Sequence, residues 1–301
     1  MKRKNLSSVV FYLGLIILMI TGLSQAQTPG VLPVQYEELT AVQFEAALNQ
    51  AYQTCIIPLG IIEKHGPHLP LGTDLLSVRA LATTAAEKEY SIVFPPYFVG
   101  QIYEAKHQPG TVAYSPDLVW NYLQETCDEL SRNGIKKIIL VNGHGGNNYF
   151  LGYFCQAQLA SRKNYAVYLF KPTEDTEMSK KIESMRKTKV DGHAGEMETS
   201  GMMKTHPDLV HMDLAGTQNG EDQNRITGLP DTYVGIWWYA KFPNHYAGDG
   251  RAADKKFGEL LFINEVDQLI KMIKVVKQDT MVLKLQDQFY KGTENPLKTE
   301  Q

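Results

Sequence analysis

The chain has only three cysteines, no excess of basic residues, no apolar run of membrane-spanning length and none of the common nucleophile or phosphate-binding signatures. Each absence removes a class of protein. Cys55, Cys127 and Cys155 are odd in number and widely spaced, so they make no disulfide framework. They lie within apolar patterns and read as buried thiols, with a single bridge as the alternative. Lys and Arg number 30 against 33 Asp and Glu, without a basic stripe, which argues against a nucleic-acid partner. A serine nucleophile lacks its Gly-x-Ser-x-Gly elbow and a cysteine nucleophile lacks a polar turn. A phosphate site has neither GxGxxG nor a Walker pattern to stand on.

The main apolar run, Val9 to Leu23, is 15 residues, short of the roughly 20 a membrane helix needs. Lys2, Arg3 and Lys4 precede it, and small or polar residues around Ser24 and Ala26 follow. That is the layout of a secretory signal peptide over residues 1–26, with an uncleaved signal anchor as the alternative. No cysteine follows closely enough for a lipid anchor. Cleavage after Ala26 leaves 27 basic against 33 acidic residues. The expected product is an exported protein, periplasmic or extracellular, with no stable membrane span.

At 43% hydrophobic residues the chain can build a sizeable core. From about residue 35 helical and strand-like patterns alternate. Helices are expected over Tyr36–Tyr52, Leu75–Glu87 with Asp74 as a possible N-cap, Ser115–Arg132 and Asn147–Arg162. Strands are expected at Cys55–Ile61, within Ser91–Phe98, at Lys136–Val141 and at Tyr165–Phe170. Strands separated by single helices imply a mostly parallel sheet covered on both faces, a three-layer α-β-α sandwich. Residues 171–190 read as a polar excursion or lid. Phe257, Leu260, Leu261, Val266, Leu269, Ile270 and Ile273 recur at helical spacing and predict a long closing helix, followed by a frayed last dozen residues.

Three segments carry chemistry. In Pro58-Leu-Gly-Ile-Ile-Glu-Lys-His-Gly-Pro-His-Leu-Pro-Leu-Gly-Thr-Asp74, Glu63 and His65 are two apart, so an extended backbone aims both at one point. A Gly/Pro-rich turn can bring Asp74 back to them. Two carboxylates and an imidazole suit a divalent cation such as zinc or manganese. In Ile138-Ile-Leu-Val-Asn-Gly-His-Gly-Gly-Asn147, His144 sits at the C-terminal end of a strand, where parallel sheets place ligands. The segment alone fits an ordinary strand–turn–helix junction equally well. In Asp191-Gly-His-Ala-Gly-Glu-Met-Glu-Thr-Ser200, helical geometry turns Glu196 and Glu198 about 200° apart, so one of them enters a site and the other sits in a solvated first turn.

Together these segments resemble the creatininase family of metal-dependent amidohydrolases. The likeness covers the Glu63-to-Asp74 motif, Asn-Gly-His-Gly-Gly-Asn at 142–147 and His-Ala-Gly-Glu-x-Glu-Thr-Ser at 193–200, with weaker matches at Pro109-Gly-Thr111 and from Gly248 to Gly258. The resemblance implies that residues 27–301 form one hydrolase domain with two divalent ions, zinc or manganese. Glu63 and His144 would hold one ion, His65 and Glu198 the other, and Asp74 would bridge them. It further implies a hydroxide shared by the ions, His193 protonating the departing nitrogen, Glu196 orienting a neighbour, and a homo-oligomer. The implied substrate is a small cyclic amide or a formamide, with a deformylase, a peptide-trimming hydrolase or a metal-loaded binding protein as alternatives. In creatininase proper the Asn-Gly-His turn continues with Tyr and Glu. Gly145 and Gly146 stand here, which points away from creatinine itself.

The other histidines read as follows. His68 braces the ligand loop, His107 is a candidate substrate contact, and His245 either lines the pocket or satisfies a loop carbonyl. His206 and His211 are surface residues. Asn142 and Asn147 brace the His144 turn. Trp237, Trp238 and Tyr239 form a packed wall or a subunit contact.

Overall fold

Two buried strands with β-branched side chains form the centre of the molecule. In the computed structural model, which describes residues 31–173, 176–229 and 231–298, they are β1 (Thr54–Leu59) and β3 (Lys137–Asn142). With β2 (Ile92–Val93) and β4 (Ala166–Leu169) they make a four-stranded sheet in the order β2-β1-β3-β4, every pair parallel. Both faces of β1 are buried, as a parallel sheet requires. Ile56 lies opposite Ile139, and Leu59 opposite Asn142, so β1 and β3 end side by side. The chain leaves β1 toward β2 and later crosses to β3 on the other side. The crevice between those two C-terminal ends is where open α/β sheets bind ligands.

Helices cover both faces. The sequence of helices is α1 (Ala41–Gln50), α2 (Thr73–Lys88), α3 (Pro116–Arg132), α4 (Asn148–Ala157), α5 (Thr176–Met185), α6 (Glu196–Thr205), α7 (Trp237–Lys241), α8 (Lys255–Gln278) and α9 (Met281–Thr293). On one face Ile56, Ile139 and Val141 pack against Val78, Leu81 and Ala85 of α2 and against Val266, Leu269 and Ile273 of α8. Cys55, Ile57, Ile138 and Leu140 of the strands are fully buried as well, as are Leu123 and Cys127 of α3 and Leu151 and Phe154 of α4, which packs on β4. Local chemistry sets the helix starts. Thr40 and Gln43 form a reciprocal capping box, Ser115 caps α3 ahead of Pro116, and the Asp254 carboxylate accepts from the Lys256 and Phe257 amides.

The described residues from Pro33 onward form one compact unit, and the proposed signal peptide at 1–26 lies outside the described residues. Among the described residues no helix is long and apolar enough to cross a membrane, and the three cysteines are free thiols. Several expectations are corrected. β1 stops at Leu59, so Glu63 and His65 lie in the loop after it rather than on the strand. Gly72, not Asp74, occupies the cap of α2, and Asp74 is the second residue of the helix. β2 is two residues long because Pro95-Pro96 follows it. The final dozen residues begin inside α9, where the Tyr290 hydroxyl donates to the carbonyls of Gln158 and Ser161.

Two glycines set helix spacing at the site. A Cβ at Gly143 would come within 2.7 Å of the Val78 Cβ and 2.9 Å of the Asp74 carbonyl oxygen, so only glycine lets the β3 turn meet the start of α2. At Gly258 of α8 a Cβ would overlap the Ser200 carbonyl oxygen of α6. In an open helix Gly→Ala stabilises by about 1 kcal/mol. Here the overlap reverses the sign: Gly258→Ala is expected to lower the unfolding free energy by about 1–3 kcal/mol. Urea denaturation midpoints of the two proteins check it, and an unchanged or higher midpoint refutes the close-packing argument.

Candidate metal centre

The crevice between β1 and β3 collects side chains from four places. Glu63 and His65 come from the loop after β1, Asp74 from the first turn of α2, His144 from the turn after β3, and Glu198 from the first turn of α6. Both carboxylates in helical first turns are favoured by the helix dipole. The Asp74 carboxylate spans the cluster: Oδ1 is 2.8 Å from His65 Nε2, and Oδ2 is 3.1 Å from His144 Nδ1. His144 Nδ1 is also 2.9 Å from Glu63 Oε1. On the other side His65 Nε2 is 4.0 Å, and His193 Nδ1 3.8 Å, from Glu198 Oε2. The donor atoms of Glu63, Asp74 and His144 form one group and those of His65, His193 and Glu198 another.

Tautomers show what this geometry demands. His65 Nδ1–H donates to the Glu63 carbonyl (3.3 Å), His144 Nε2–H to the Gln101 carbonyl (2.9 Å) and His193 Nε2–H to the Lys64 carbonyl (2.8 Å). A neutral imidazole has one N–H, so each ring turns a bare nitrogen toward carboxylate oxygens. Lone pair faces lone pair unless a cation stands between them. Glu63 Oε1 and Asp74 Oδ2 are buried and complete no hydrogen bond. Orphaned oxygens beside bare imidazole nitrogens, with the N–H held by backbone carbonyls, are a donor set that suits a divalent metal.

The electrostatics agree. Burial opposes a charge on His65, yet Asp74, Glu63 and Glu198 outweigh it and raise its pKa to about 10. His144 is raised well above the usual imidazole value: burial opposes charge there too, and Glu63 and Asp74 outweigh it. Glu63 is buried, which favours its neutral form, but His193, His144 and His245 hold it well below the ordinary carboxylate range. Burial pushes Glu198, which is partly open to the cavity, up to about 7, with Asp74 and Glu63 adding to the push against His65. Burial also drives His193 down to about 3, and His65 and His245 beside it add to that against Glu63.

Glu196, read as orienting a neighbour, is fully buried rather than solvated: its oxygens accept from the Lys187 and Thr188 amides and the Thr188 hydroxyl. It ties the 187–188 segment to α6 and stays out of the cluster. His245, read as a pocket or loop residue, is buried and hydrogen-bonds Glu63 Oε2 through Nε2. The link joins residues 182 positions apart. Its one sequence hint is a histidine just before Gly248-Asp-Gly. His68 binds the Thr199 hydroxyl at 2.8 Å and braces α6. Asn142 and Asn147 hold the His144 and Gln101 backbone.

Above the cluster opens a cavity of 1390 Å³. His107 lines it, with its ring edge-on to Tyr239 and its Nε2 on the Pro243 carbonyl. The described residues of the expected lid, 171–190, contribute none of the lining. The wall is instead the 226–241 segment, with Tyr233, Ile236, Trp237 and Trp238.

The fold and the site together define an α/β protein with a carboxylate–imidazole cluster fit for divalent cations. Comparison with known proteins is specific. Residues 37–273 match the creatininase family model, described as creatinine amidohydrolase. The chain is 27% identical over 190 residues to creatinine amidohydrolase of Pseudomonas putida, covering 58% of this chain and 73% of that one. It is 32% identical over 172 residues to the mycofactocin precursor peptide peptidase of Mycolicibacterium smegmatis, covering 55% and 63%. A solved creatinine amidohydrolase superposes with a TM-score of 0.69 at 22% identity, over 82% of this chain and 99% of that one. Solved creatininases include a manganese form and a zinc–zinc form. The chain belongs to the creatininase family, as a distant relative of creatininase proper, and is an amidohydrolase that acts on C–N bonds.

Protons and metal compete for this cluster. His65 titrates near 6.5 when unfolded and at about 10 when folded, so its contribution is complete below about pH 6.5 and is lost as pH rises through 10. Chelator-treated protein should therefore lose thermal stability between pH 7 and 10. Added zinc should restore it most at the alkaline end, where ligands are already bare. Melting curves across that range test this, and a metal-free stability that rises with pH contradicts it.

Proposed function

We propose that the chain is an exported amidohydrolase that holds two divalent cations, zinc or manganese, and cleaves the C–N bond of a small cyclic amide or a formamide. The observation that carries this reading is the pair of ligand groups joined by Asp74, with bare imidazole nitrogens facing orphaned carboxylate oxygens at the floor of a cavity. Glu63 and His144 would hold one cation and His65 and Glu198 the other, with Asp74 between them. Cations held there supply Lewis-acid polarisation of the amide carbonyl and lower the pKa of water.

His193 supplies the proton traffic. Its Nε2–H is fixed on the Lys64 carbonyl, and its bare Nδ1 faces the cluster beside Glu198. From that position Nδ1 would take up a proton released by the attacking water and pass it to the departing amine. The buried floor around Glu63 and His65 keeps bulk water away, which strengthens each electrostatic contact. Trimming of a peptide is a second reading. It is favoured by a cavity wider than a small cyclic amide fills and lined by Tyr149, Tyr233 and Trp237. Export rests on the pattern of residues 1–26.

Elemental analysis of residues 27–301 should find two divalent ions per chain, with loss in His144→Ala. His193→Ala should keep both ions and lower kcat by about 10²–10⁴ on whichever substrate is turned over. Cyclic amides, formamides and short peptides form the substrate screen. A parent protein that takes up no zinc or manganese on dialysis sinks the reading.

A further inference from the structure

Three hydrogen-bonding groups run in a line from the cavity wall to the ligand cluster. The Trp238 indole Nε1–H donates to His245 Nδ1 at 2.9 Å, and His245 Nε2 meets Glu63 Oε2. Indole nitrogen is only ever a donor, so His245 Nδ1 must be bare and its proton must sit on Nε2. His245 is therefore a donor to Glu63. The rival assignment, in which Glu63, His193 and His245 ligate an ion together, fits the distances but needs a bare Nε2. The indole contact rules that out. His245 is held in this pose with a positive φ of 50°, a conformation non-glycine residues seldom adopt. It is buried, while Trp238 is half-buried and lines the cavity with its ring edge-on to His193 at 6.0 Å.

We infer that Trp238 and His245 are a positioning pair that fixes Glu63 as a one-oxygen ligand. Oε2 is taken by the His245 N–H, so Oε1 alone points at the bare His144 Nδ1. Without the pair Glu63 is free to rotate and offer both oxygens, which changes the shape and charge of one half of the centre. Trp238 thus acts on the metal ligand through another residue and is not itself a catalytic residue. The inference rests on the metal-centre reading.

The test uses zinc as the probe and the whole mature chain. Competition with a chromophoric chelator measures the two zinc affinities in the parent, Trp238→Phe, His245→Gln and the double variant. Trp238→Phe keeps the ring and removes the donor, and is expected to weaken one zinc about tenfold while leaving the other unchanged. His245→Gln can donate to Glu63 without the indole, so Trp238→Phe should cost nothing further in that background. Ring ¹⁵N shifts of the metal-free protein should place the His245 proton on Nε2 in the parent and on both nitrogens in Trp238→Phe. Equal zinc affinities in parent and Trp238→Phe, or additive losses in the double variant, overturn the inference. A parent that binds no zinc but shows the Nε2 tautomer overturns the metal-centre reading and, with it, the pair's role as ligand support.

Discussion

Negative charge held out of water is the constraint on which this molecule is organised. Glu63 and Asp74 are buried and Glu198 is partly open to the cavity, and three imidazoles turn bare nitrogens toward them. Such a cluster repels itself unless positive charge enters it. Protons can supply that charge, which is why His65 and His144 are pushed so far up. Divalent cations can supply it by accepting the lone pairs of the bare nitrogens. The backbone carbonyls of Glu63, Lys64 and Gln101 bind the N–H of each ring and leave the other nitrogen bare, which suits the cluster to a metal ion.

The sheet explains why so few residues are needed to assemble it. β1 and β3 are paired along their whole length, and their ends deliver the Glu63 loop and the His144 turn to the same crevice. α2 then places Asp74 between them, and the glycine at 143 removes the side chain that would keep them apart. α8 sets the fourth contribution: its close contact with α6 holds the helix on which Glu198 rides, and Glu196 anchors the segment before that helix. Core packing and ligand placement are therefore the same set of contacts.

Much of this was legible in sequence, for identifiable reasons. β1, β3, α3 and α8 have long apolar runs or a clear helical period. The three ligand-bearing segments cluster glycine with His, Asp and Glu, a composition that packing alone does not call for. What failed to show has physical causes as well. The two-residue spacing of Glu63 and His65 suggested a strand, but β1 ends at Leu59 and the loop after it does the aiming. Glu196 and Glu198 look alike on paper, and only the rotation of α6 separates an anchor from a candidate ligand. His245 and Trp238 were not legible as partners of Glu63, because the contact joins distant parts of the chain and each looks ordinary in its own segment.

Lys64 sits between two candidate ligands and has two unrelated duties. Its carbonyl fixes the tautomer of His193, while its ammonium group reaches Gln218 Oε1 and the Asn244 carbonyl, each at 2.6 Å. Those contacts clamp the two ends of the cavity-wall segment, whose two limbs are further joined by the Gln223 amide on the Lys241 carbonyl and the Arg225 guanidinium on the Ala240 carbonyl. The wall is thus a closed loop hung from the reaction centre at its base. A shift of the Lys64 backbone would therefore reach the wall and the His193 ring together, coupling the width of the cavity mouth to the setting of the imidazole below it.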